Sequence, residues 1–179
     1  MANIISFQGA KERKESLNPD DLNGLVKRAS LICKEKLDLP QDELGIIKEG
    51  RLKSIFEGKI TQEIFTRKLI GSDVFLCGIY VSNLLAELVS NAPESWWAID
   101  YATSDDSLTL KRGGDACFLL CGVFSERGNH RLMDTDYYQK MGRGLYYRFY
   151  SLAKKEIGYH MSHQFETMVT VVQSCIRNF

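Results

Sequence analysis

Three groupings of side chains have types and spacings that bear on chemistry. His160 and His163 stand three residues apart, which puts two imidazoles on one face of a helix, and neutral imidazole is a common zinc ligand. The third histidine, His130, has no fixed relation to them, and the Glu-x-x-His signature of a di-iron bundle is missing from the sequence. Surface or capping histidines are the plainer reading, and no metal is expected. Cys117 and Cys121 are one helical turn apart and flanked by Phe118, Leu119 and Leu120, so packing is preferred over metal or redox chemistry. Gly113-Gly114-Asp115 follows Lys111-Arg112 and reads as the opening of a helix, whose backbone donors with two cations would suit an anion. No Walker or dinucleotide fingerprint completes it, and Asp115 opposes a phosphate, so a turn with Asp115 as N-cap is preferred and no cofactor is expected. No nucleophile–base pair is specific enough to support an enzyme, and the reading leans against one.

The strongest binding signal is aromatic. Residues 137–150 hold five of the eight tyrosines, Tyr137, Tyr138, Tyr146, Tyr147 and Tyr150, together with Arg143, Arg148, Phe149, Gly142 and Gly144. Tyrosines at adjacent positions cannot all face one core, so some must present rings or hydroxyls to solvent or to a polar cavity. One reading is a protein-binding or homodimer face made by Tyr137, Tyr138, Arg143, Tyr146, Tyr147 and Tyr150, residue types enriched at interface hot spots. Two glycines inside a helix cost roughly 1 kcal/mol each relative to alanine, an expense that close approach of a neighbouring helix, such as 115–125 with Gly122, would offset. The competing reading is a small polar pocket between the central helices, lined by Tyr80, Asn83, Glu87 and Asp115, that takes an amphiphilic ligand or a substrate. Against it, the side of the 73–90 helix carrying Tyr80, Asn83 and Glu87 reads more simply as a solvent edge.

These residues need elements to hold them. Asn18-Pro19-Asp20-Asp21 opens a helix to about residue 37, with Leu22, Leu25, Val26, Ala29, Ile32 and Cys33 on one face. Gly45, Gly50 and Gly58 break residues 41–70 into pieces: one short helix over Leu52, Ile55 and Phe56, another over Ile60, Ile64, Phe65 and Leu69. A helix over 73–90 is apolar nearly all round, which marks a central position. Residues 91–111 carry loop signals around Trp96-Trp97, and nothing periodic separates loop from hairpin or short helix. Residues 116–124 form an apolar helix, and 135–156 a long one closed by Gly158 after two lysines. The last helix runs over about 162–177. The expected fold is all-α, an irregular single-domain helical bundle of five to seven helices over residues 18–179, centred on helices 73–90, 115–125 and 135–156. Residues 1–17 form an N-terminal arm.

Composition narrows the function classes. The 179 residues carry 23 basic and 23 acidic side chains, 13 of each within residues 1–90, so no basic patch points to nucleic acid. The run over 74–89 is too short and too polar for a bilayer span, and the N-terminus lacks a signal-peptide pattern, so no membrane insertion is expected. Five cysteines, an odd number without a CxxC pair, suit free thiols in a reducing cytoplasm. The stretch from Gly114-Asp115 to Phe124-Ser125-Glu126, followed by Asp136-Tyr137-Tyr138-Gln139-Lys140-Met141-Gly142 and Tyr146, resembles a pattern in uncharacterised bacterial helical proteins. There a "GD..LF..G.F.E" helix precedes a "YY..MG...Y" helix, and a segment similar to 82–89 accompanies them. The resemblance covers about half of the chain and implies a bacterial cytoplasmic helical domain, with no activity attached. Cys117 departs from the pattern, and no functional residue is carried over. The preferred function is a cytoplasmic interaction or adaptor domain that binds a protein partner or a second copy through the aromatic helical surface. The alternative is a small-molecule-binding protein or enzyme built on the polar pocket.

Overall fold

The computed structural model describes residues 49–88, 91–124 and 134–177; the expected N-terminal arm and the 18–37 helix lie outside them. Helix α1, Glu49–Thr66, buries Leu52, Phe56, Ile60 and Ile64 at four-residue intervals, one continuous apolar stripe. The two short pieces expected here are therefore a single helix. Gly58 has nothing within 4 Å of where a Cβ would sit, so it lies on the outer face and does not break the helix. The end comes at Lys68, in the left-handed region with φ 54°. Its N–H donates to Phe65 O and that of Leu69 to Ile64 O, which closes the last turn. Helix α2, Ser72–Leu88, packs back on α1. Gly78 permits this, since a Cβ there would stand 2.9 Å from Ile64 Cδ1.

Residues 91–111 resolve into a short helix α3, Ala98–Ala102, and the start of α4, Ser107–Leu119, which runs on as a π-helical turn, Leu120–Phe124. Trp96 is buried, with its ring edge-on to Phe124 at 5.5 Å. Asp106 is the N-cap of α4, accepting from Thr109 N at 2.8 Å and Thr109 Oγ1 at 2.7 Å. The expectation that Gly113-Gly114-Asp115 opens this helix is thereby corrected. The capping side chain lies nine residues earlier, and the two glycines fall mid-helix, where they admit the Tyr101 and Tyr146 rings.

Helix α5, Thr135–Ala153, is capped by Asp134 and stops at Lys154, whose φ is 53°. The sequence reading ran this helix to 156 and ended it on Gly158. Gly158 instead belongs to α6, Glu156–Arg177, where a Cβ would meet Phe149 Cδ1 at 2.7 Å and Tyr146 O at 2.9 Å. It is a point of close helix contact, not a terminator, and α6 accordingly begins about six residues before the expected 162. Helix α6 buries Met161, Phe165, Met168, Val171 and Val172 completely or nearly so and touches α1, α2, α4, the π turn and α5. The hub of the bundle is therefore α6, which the three helices expected at the centre did not include. The whole is an irregular, single-domain all-α bundle, with six α-helices among the described residues. No helix among them is long and apolar enough to cross a membrane.

Candidate functional site

Helix α4 carries one buried acid, Asp115, 7% exposed. A carboxylate taken out of water needs hydrogen-bond donors, and three elements supply them. Tyr80 on α2 donates its hydroxyl to Asp115 Oδ1. Tyr146 on α5 donates to the same oxygen at 2.7 Å, and Lys111, one turn earlier on α4, donates to Oδ2 at 2.8 Å. The Lys111 ammonium also stands 5.0 Å over the Tyr80 ring, a cation–π contact, and the two tyrosine rings meet edge to face at 6.2 Å. Burial, and then the negative charge of Asp115, hold both hydroxyls well above the ordinary tyrosine range, with Glu87 adding a smaller push at Tyr80. Both phenols stay neutral donors through the physiological range.

Lys111 and Asp115 of this cluster line an open groove of about 480 Å³ between the C-terminal end of α2 and one face of α4. Leu84, Leu88, Leu108 and Leu119 supply its apolar wall; Glu87, Glu94, Lys111, Arg112 and Asp115 supply charge. Tyr101 completes it, and its hydroxyl is fixed by Ser95, donating to Ser95 O at 2.8 Å and accepting from Ser95 N at 3.0 Å. This volume lies within the range of small-molecule sites, and the lining is apolar and polar in about equal parts.

No family model, no curated protein and no solved structure matches this chain. The geometry alone carries the functional reading.

Of the four residues expected to line a pocket, Tyr80 and Asp115 are hydrogen-bonded to each other, and Glu87 and Asp115 line the groove. Asn83 is half-buried on α2 but does not line it. The six residues expected on one aromatic face are separated. Tyr138 and Tyr146 are buried, and Tyr137 packs against the core. Tyr147 is exposed, Tyr150 half-buried, and Arg143 bonds to Glu166 Oε1 at 2.8 Å and Ser162 O at 3.2 Å. What remains outside is a ladder of rings across the α5–α6 corner. Tyr147 to Tyr150, Tyr150 to Tyr159 and Tyr159 to His163 are 6.4, 5.4 and 4.2 Å apart. Tyr159 escaped the sequence reading because it lies beyond the tyrosine-rich window, on the next helix. Lys111, expected with Arg112 as a cation for an anion, is instead paired with Asp115, and its four-residue spacing from that acid is the signature of a helical ion pair.

His160 and His163 do lie on α6, and His163 Nδ1 bonds to Tyr159 O at 2.9 Å. Among the described residues no group of three or more His, Cys, Asp or Glu side chains is placed to hold a metal. Cys77, Cys117, Cys121 and Cys175 are free and buried; Cys33 lies outside the described residues. Burial pushes the Cys77 and Cys121 thiols up to about 12, the Cys175 thiol to about 11, and Cys117 higher still. These are packing thiols, not nucleophiles.

Proposed function

We propose that this chain is a binding protein for a small amphiphilic molecule, seated in the α2–α4 groove. The observation that carries this is the groove itself, where Lys111 and Asp115, fixed by hydrogen bonds from Tyr80 and Tyr146 behind them, stand beside a wall of four leucines. A polar end placed by fixed donors and acceptors and an apolar body placed against leucines is how small-ligand sites obtain orientation and affinity together. Binding is favoured over catalysis because the oxygens of Asp115 are already engaged by three donors, and the buried thiols are held protonated. The free, buried thiols support a reducing, cytoplasmic setting, in keeping with the resemblance to bacterial helical proteins.

Native mass spectrometry of protein purified gently from its own cells is the test. The native protein is expected to carry a small-molecule mass that denaturation releases. Leu108→Trp, which fills the groove from an exposed position, is expected to lose that mass without losing the fold.

A second reading is favoured by the exposed ladder on α5 and α6: a protein or homodimer contact through Tyr147, Tyr150 and Tyr159. Sedimentation of Tyr147→Ala against the native chain tests it, since a hot-spot ring lost from an interface weakens association by about 1 kcal/mol or more.

A further inference from the structure

We infer that the groove selects a ligand with a cationic head, an ammonium or similar group on an apolar body. The inference rests on the groove being the ligand site and adds the sign of the charge it takes. Two of its three acids are already neutralised: Asp115 by Lys111 at 2.8 Å and Glu94 by Arg112 at 3.0 Å. Those pairs also occupy both groove cations. Glu87 is left over, exposed on the rim, with no ion pair among the described residues.

The backbone points the same way. Leu84, Glu87 and Leu88 belong to the last turn and a half of α2, whose final turn carries no basic side chain. The carbonyl end of a helix is the negative end of its dipole, and it favours cations. The opposite pole, at the start of α4, is already answered by the Asp106 cap. A ligand whose tail covers Leu84 and Leu88 would shield Glu87 from water, which strengthens its attraction for a cation.

The full chain is titrated calorimetrically with n-octylammonium, n-octanoate and n-octanol, each below its aggregation threshold, and again as Glu87→Gln. Octylammonium is expected to bind at least tenfold more tightly than octanoate, with octanol between them. The preference is expected to fall below threefold in Glu87→Gln and to shrink with added salt. Equal binding of the three probes, tighter binding of octanoate, or a preference unchanged in Glu87→Gln would overturn the cationic head while leaving the groove as a ligand site. Failure of all three probes to bind would overturn both.

Discussion

Tyr146 and Tyr147 are adjacent in sequence and opposite in environment. The first is 1% exposed and gives its hydroxyl to a buried carboxylate; the second is 52% exposed and leans on Tyr150. One step of 100° around α5 separates a polar anchor inside the bundle from a ring on its surface. The wider contrast is between the Asp115 cluster, where every partner is fixed by a different helix, and the α5–α6 ladder, where rings touch one another beside solvent. Side-chain type alone assigns neither role. Burial and the presence of an acceptor do.

The sharpest way to break this contrast is to remove the acceptor. Asp115→Ala strands two buried hydroxyls and leaves Lys111 without its partner, so the chain is expected to lose about 3 kcal/mol or more of stability in urea denaturation. Next comes the glycine pair of α5, which repeats the contrast without tyrosine. A Cβ at Gly142 would stand 2.6 Å from Phe165 and 2.9 Å from Cys117, whereas Gly144 has nothing within 4 Å. Gly142→Leu is expected to cost about 3 kcal/mol by overpacking, while Gly144→Ala is expected to gain up to about 1 kcal/mol of helix propensity. Equal denaturation midpoints for the two variants would contradict that geometry.

Tyr146→Phe keeps the ring and deletes one donor to Asp115, with an expected cost of about 1–2 kcal/mol. The same cluster sets a pH dependence. The folded-state pKa values of Tyr80 and Tyr146 lie above the ordinary 10.0, so the unfolded chain gives up these protons first and stability falls as pH rises past about 10. The raised thiols extend the loss down toward 9.0, their ordinary value. Thermal midpoints are therefore expected to hold from pH 7 to 8.5 and to drop steadily above 9. The smallest effect belongs to the surface. Tyr147→Ala is expected to change stability by no more than about 0.5 kcal/mol, and a loss near that of Tyr146→Phe would erase the distinction between the two regions.

Much of the bundle was legible in the sequence because helix period and burial agree there. Val81, Leu84 and Leu85 on α2, or Phe165, Met168 and Val172 on α6, sit at the spacings the apolar pattern gives. The errors fell where one residue type serves two purposes. Gly58 is an exposed helical glycine, Gly158 a contact glycine, and Lys154 takes the left-handed cap usually given to glycine. Asp115 looked like an N-cap because it follows two glycines, yet those glycines serve the Tyr101 and Tyr146 rings. The link between Tyr80, Asp115 and Tyr146 spans 35 and 31 residues, and local pattern carries no trace of such a contact. The candidate pocket does include both Tyr80 and Asp115, but Tyr146, the second donor, is expected in the surface group.

The most direct measurement is a tyrosine-ring NMR titration of the full chain with n-octylammonium. The groove account predicts shifts at Tyr101, on its wall, and at Tyr80, through Lys111, with Tyr147, Tyr150 and Tyr159 unmoved. Shifts confined to those three ladder rings, with Tyr80 and Tyr101 silent, would contradict it.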